Sequence, residues 1–198
     1  MVSDTGLRQA PPDDVVADHA LVERAAGGDR EAFAALVERH HGRIIALLER
    51  LCGCADQARD LAQETFISAF RHLGGFRHES RFSTWLHSIA CNHAAAAARR
   101  RRPTVSLDAT DPDGTTRIPE PAARTADVTV GLEQAELRSR VNAALARLDE
   151  RYRQVVVLSD MHGSTYEEIA ETLAIPIGTV RSRLHRGRLE LRSLLAAE

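Results

Sequence analysis

Lysine is absent from this 198-residue chain: all 26 basic side chains are arginine, set against 28 acids for a formal net charge of −2. With abundant alanine, that usage reads as the imprint of a GC-rich genome. Lacking a global positive charge, the chain can hold nucleic acid only through local clusters of arginine. Aromatic residues make up 4% of the chain and apolar residues 43%, the balance of a helical protein rich in alanine and leucine. No apolar run approaches the length of a membrane span, and the opening stretch MVSDTGLRQAPPDD is polar and acidic, unlike a signal peptide. A cytoplasmic protein without direct membrane insertion is expected. Cys52, Cys54 and Cys91 are an odd number, which argues against a disulfide framework. Cys52-Gly-Cys54 lies near His40 and His41 but lacks the C-x-x-C spacing and second ligand pair of a structural metal site. No nucleotide-binding loop or nucleophile triad is present either. The expectation is therefore no metal, no cofactor, no catalytic residue and no small-molecule substrate.

What is present centres on Ser164 to Arg192, STYEEIAETLAIPIGTVRSRLHRGRLELR. Ser164, Thr165, Tyr166 and Glu167 read as an S-x-x-E capping box opening a helix. Ile169, Ala170 and Leu173 give that helix one apolar face. Pro176 and Gly178 then mark a turn, with Gly178 as its permissive residue. A second helix follows, for which Val180, Leu184, Leu189 and Leu191 are the expected buried contacts. Between Thr179 and Arg192 it carries five arginines and one acid, Glu190. This is the layout of a helix-turn-helix whose second helix enters the DNA major groove. Arginine forks suit phosphates and guanine edges, and Ser182 can donate or accept at a base edge. A solvated amphipathic helix would also carry such a face. The joint occurrence of cap, turn and basic helix favours DNA.

The wording Tyr166-Glu-Glu-Ile-Ala170 with Gly178-Thr-Val-Arg-Ser-Arg-Leu-His-Arg186 resembles region 4.2 of bacterial RNA polymerase sigma factors, most of all the extracytoplasmic-function (ECF) type. Two further stretches carry the same resemblance. Asp60, Gln63 and Glu64, at i, i+3 and i+4, cluster on one helix face, and spacing alone makes them a solvated patch. Followed by Phe66, they resemble sigma region 2.2, whose matching residues dock on the clamp helices of the polymerase β′ subunit. The order FR-x-x-S-x-F-x-TWL-x-x-IA-x-N from Phe76 to Asn92 resembles regions 2.3 and 2.4, which bind the promoter −10 element as a single strand. Single strands are held by stacking aromatics and flipped bases. The resemblance implies that Asn92 contacts a flipped base. Trp85 is assigned to the core, and Arg99 to Arg102 form a basic end for phosphates, Arg99 and Arg100 first among them. Ala96 departs from the polar residue that relatives usually carry there, and Asp149 stands where they usually have proline.

In chain order, 1–19 is expected to be a disordered tail and 20–102 a bundle resembling sigma region 2. Within it Asp29 and Asp56 are expected N-caps. Phe33, Leu36, Val37, Ile44, Leu48 and Leu51 form one core stripe, and Leu61, Phe66, Ile67 and Phe70 another. Residues 103–133 hold four of the seven prolines and six acids against two arginines, and read as a flexible linker. Residues 134–198 complete a region 4-like domain. Its first helix, from Gln134, carries Leu137, Val141, Leu145 and Leu148; a second runs from Glu150 to Met161 behind an Asp149 cap. The fold class is all-α, two small helical domains joined by a flexible linker.

The resemblance implies a protein that binds core RNA polymerase and directs it to promoter DNA, with an anti-sigma factor as its expected regulator. On that reading Thr179, Arg181, Ser182, Arg183, His185, Arg186 and Arg188 serve the −35 element, Arg183 and Arg188 on phosphates. A LuxR-like activator or repressor, binding duplex operators without polymerase, shares the E-I-A…T-V pattern. It has no use for the Asp60/Gln63/Glu64 patch or the 76–92 segment. A protein-interaction adaptor leaves the arginines of the last helix without a task.

Overall fold

The computed structural model describes residues 12–101 and 130–197, and among them there is helix but no strand. The architecture is all-α: four helices before the undescribed stretch 102–129, where most of the expected linker lies, and four after it. Residues 1–11 of the expected tail also lie outside the described residues.

Helix α1 spans Pro12–Ala26, so the chain turns helical well before the boundary expected near residue 19. Proline suits a first helical position, where its missing N–H would have no partner. Asp18 explains why this turn holds: it is buried, and accepts from Arg39 Nη1 at 2.6 Å while lying 2.9 Å from His40 Nε2. Burial pushes its carboxyl up, but His40 and Arg39 outweigh that and leave it lowered.

Helix α2, Arg30–Cys52, begins at Asp29 as expected; the Asp29 carboxylate accepts from Glu31 N at 3.0 Å and Ala32 N at 3.1 Å. Helix α3, Ala55–His72, starts one residue before Asp56, with Cys54 at the cap position and no side-chain cap bond. Asp56 instead pairs with Arg59 at 2.6 Å. Helix α4, Phe82–Arg101, follows a loop from which Phe76 packs on Phe82 and Trp85, with Phe76–Trp85 centroids 5.1 Å apart. Trp85 is half-buried in this aromatic knot, a core position. Leu36, Ile44, Leu47 and Leu48 of α2 meet Leu61 and Phe66 of α3 and Leu86 and Ala90 of α4 to form the N-terminal core.

Helix α5, Val130–Arg147, starts four residues before Gln134. Helix α6, Glu150–Val156, is capped by Asp149, whose carboxylate accepts from Arg151 N at 3.0 Å, and widens into a π turn over Val157–Met161. Helix α7 spans Tyr166–Leu173 and α8 Ile177–Ala196.

Two local expectations are corrected here. The capping box is Thr165 with Glu168, one residue on from Ser164 and Glu167: Thr165 Oγ1 accepts from Glu168 N at 3.2 Å and Thr165 N donates to Glu168 Oε2 at 2.9 Å. Both pairs fit the sequence motif, and burial of Ile169 selects the register that points it inward. In the turn, the left-handed residue is Ala174 at φ 51°, while Gly178 is an ordinary residue in the first turn of α8.

Gly187 is the glycine that packing requires. A Cβ there would meet Val156 Cγ2 at 2.8 Å and Tyr152 Cβ at 3.2 Å, so α8 lies directly on α6. Leucine at 187 is expected to lower the unfolding free energy by roughly 1–3 kcal/mol, as overpacked cores do. Alanine at 178, where nothing lies within 4 Å, is expected to raise it by up to about 1 kcal/mol. Urea unfolding of the two variants measures both, and equal effects would refute this assignment.

Candidate nucleic-acid interface

Helix α8 presents two faces. Val180, Leu184 and Gly187 are buried, whereas Arg181, Ser182, His185 and Arg186 are exposed and Thr179 and Arg183 half-buried. Positions 181 and 185, and 182 and 186, are one turn apart, so the four exposed side chains form one compact face. Ser182 Oγ donates to Thr179 O at 3.1 Å, which leaves its lone pairs outward. Arg188 behaves differently from its neighbours. Its Nε donates to Asp160 Oδ2 at 3.0 Å and its Nη2 to the other carboxylate oxygen, so its fork is already engaged. The hydrogen bond to Asp160 raises its pKa further. Leu189, expected in the core, is 50% exposed, because Gly187 takes the inward position two residues before it.

The second constellation lies on α4. Asn92 is exposed in its middle, and Arg99 and Arg100 are exposed near its C-terminal end, where cations also suit the helix dipole. The third lies on α3, where Asp60, Gln63 and Glu64 are all exposed. The structure joins it to the second: His93, beside Asn92, has Nδ1 3.3 Å from Glu64 Oε2 and Nε2 3.0 Å from Ser68 Oγ. Ile67 and Phe70, assigned to the core by sequence, are instead 43% and 48% exposed. They extend the stripe of Asp60, Gln63 and Glu64 by two turns, and Phe70 packs edge-on against Phe33 at 4.9 Å. The signal that could have found this is the i, i+3, i+4, i+7 spacing that places Ile67 on the face of Asp60, Gln63 and Glu64. Leu137 on α5 is likewise 58% exposed where an inward residue was expected.

Beside Asn92, burial pushes the Cys91 thiol up to about 12, and in α2 Cys52 Sγ donates to Leu48 O at 2.9 Å. Among the described residues no group of three or more histidine, cysteine or acidic side chains is arranged as a metal site, and no helix is long and apolar enough to cross a membrane.

The two faces of α8 separate in mutational terms. Leu184→Ala is expected to cost about 2–5 kcal/mol of stability by opening a cavity, while His185→Ala should change stability by less than about 0.5 kcal/mol. Thermal unfolding of both variants is the check; comparable losses would mean that His185 is structural.

Comparison with known proteins converges on one family. The sigma-70 region 2 model matches residues 36–104 and the sigma-70 region 4 model matches residues 138–191. The chain is 40% identical over 177 residues to the RNA polymerase sigma-H factor of Pseudomonas aeruginosa, covering 86% of this chain and 90% of that one. It is 34% identical over 176 residues to the ECF RNA polymerase sigma factor SigW of Bacillus subtilis, covering 88% and 94%. Among solved structures, CnrH in complex with the cytosolic domain of CnrY aligns with a TM-score of 0.67 at 29% identity, over 92% of this chain and 99% of that chain.

Proposed function

This chain belongs to the sigma-70 family of RNA polymerase sigma factors, in its extracytoplasmic-function group, and from that premise we propose how its surfaces divide the work. The α3 stripe of Asp60, Gln63 and Glu64 binds the β′ clamp helices of core polymerase. The α4 face of Asn92, Arg99 and Arg100 holds the opened −10 strand, Asn92 on a base and the arginines on phosphates. Helix α8 enters the major groove of the −35 element with Arg181, Ser182, His185 and Arg186. Thr179 and Arg183 lie beside that face, nearest the phosphates. Arg188 acts from behind, bracing α8 against Asp160 of the π turn. The protein catalyses no reaction itself and works where polymerase works. CnrH was solved with the cytosolic domain of CnrY, and for this chain the protein partner proposed is an anti-sigma factor acting as its regulator.

The observation that carries this reading is the division of α8 into a buried apolar face and an exposed arginine face at helical spacing. An exposed fork such as Arg181 can meet guanine O6 and N7 together, a contact worth about 1–3 kcal/mol of discrimination. An operator-binding regulator of the LuxR kind would give the α3 stripe and Asn92 nothing to do.

Transcription from a genomic DNA pool by sigma-free core polymerase, with and without the protein, tests the whole reading. New discrete starts sharing paired −35 and −10 sequences are expected; dimeric binding to duplex DNA with no new starts would overturn it. Arg181→Ala is expected to relax selection at one −35 position, whereas an unchanged −35 preference would remove that residue from base reading. Asp60→Ala combined with Gln63→Ala is expected to weaken polymerase binding at least tenfold, since each 1.4 kcal/mol is a factor of ten. Unchanged affinity would move the clamp contact elsewhere.

A further inference from the structure

The N-terminal and C-terminal helices are packed together: α4 lies against α7, and α2 against α5 and the π turn. Arg81, immediately before α4, meets Glu168 on α7 at 3.1 Å, and Arg153 on α6 donates to Leu51 O of α2 at 2.6 Å. Where α4 faces the π turn, His87 and His162 meet ring to ring, with centroids 5.6 Å apart and planes 75° from parallel. Nε2 of His162 is buried there with no hydrogen-bond partner.

This closed arrangement is too short for a promoter. Asn92 lies about 15 Å along α4 from Phe82, and all of α8 is about 30 Å long. With α4 touching α7, the two DNA-facing sets are on the order of 50 Å apart at most. The −35 and −10 positions are roughly 25 base pairs apart, on the order of 80 Å. The two halves must part before both elements can be held.

We propose that His87 and His162 form a proton-operated latch on this seam, shut while both rings are neutral and released when they take up protons. The charges acting on the pair are all cationic. Arg43 of α2 acts on both rings, Arg50 of α2 on His162, and His40 of α2 on His87. His40 is itself held by Asp18. On the α7 side Glu168 is committed to Arg81 and to Thr165 N, and Asp160 of the π turn to Arg188.

Burial first, then these cations, pushes His87 down to about 3 and His162 to about 4. Well above pH 6.5 both rings are neutral in either state and protons do not influence closure. Below 6.5 the open form binds protons that the closed form refuses, and this continues down to about 4 and about 3. Moving from pH 7.5 to 5.5 therefore lowers the closed-to-open ratio about tenfold per ring, or about 100-fold for both. The latch concerns the seam alone and stands independently of how the surfaces are assigned to polymerase and promoter.

Small-angle scattering on the full chain tests it, with the wild type and with Arg81→Ala, in which a seam ion pair is removed to lower the closed-to-open ratio further. Both are expected to be compact at pH 7.5, and Arg81→Ala to expand by pH 5.5 with its helical circular dichroism intact. Adding His87→Gln and His162→Gln to Arg81→Ala should abolish that pH response. The proposal is overturned if neither protein expands by pH 5.5, if helix is lost in step with expansion, or if the response survives without the two histidines.

Discussion

A helix that ends inside a protein leaves its last carbonyl groups without partners, and Arg153 meets that need for two helices at once. Its Nη1 donates to Leu51 O at 2.6 Å in the last turn of α2, and its Nη2 donates to Ala146 O and Leu148 O at the end of α5. Hydrogen bonds from a charged donor contribute about 1.5–3 kcal/mol each, against about 1 for neutral pairs, and a cation also suits the negative end of each helix. Burial lowers the Arg153 pKa, while Glu150, Cys52 and Asp149 offset part of that. The more conspicuous ion pair on the seam, Arg81 with Glu168, is half exposed on its arginine side and is worth about 0–1 kcal/mol. Arg153 is thus the firmer anchor. It places α6, and α6 in turn seats α8 through Gly187.

The consequence for function is one of depth. A recognition helix has to stand proud of its domain to enter a groove, yet it must be gripped from behind so that its side chains arrive in register. Gly187 lets the α8 backbone lie directly on Tyr152 and Val156, while Val180 and Leu184, in the two turns before it, fill the core. Asp160, on the π turn that continues α6, takes the Arg188 fork. Four exposed side chains, Arg181, Ser182, His185 and Arg186, are left on a rigid support. The same economy appears on α3, where Ile67 and Phe70 give the acidic patch an apolar continuation, the mixed composition found at protein interfaces.

Much of this was open to a reading of the chain. The helices α2, α3, α4, α7 and α8 follow from apolar residues at helical spacing, and the N-caps at Asp29 and Asp149 are where a short acidic side chain precedes such a run. Periodicity failed where it was asked which apolar residue faces in. Ile67, Phe70, Leu137 and Leu189 all fit a stripe, yet all are exposed, because helical spacing identifies neighbours on a surface and is silent on what covers them. Cap registers slipped for a related reason: Ser164/Glu167 and Thr165/Glu168 match the same motif, and only the burial of Ile169 separates them.

Helix content, the basic character of α8 and the family itself are properties of local order along the chain, so the amino-acid sequence determines them without reference to anything distant. The partners of Asp18, the bond from Arg153 to Leu51 O, the tie between Arg188 and Asp160, and the meeting of His87 with His162 join residues far apart in sequence. No periodicity encodes such pairs. They exist because packing helices against one another places distant polar groups side by side, and a group withdrawn from water takes whatever donor, acceptor or ring the tertiary structure has placed beside it.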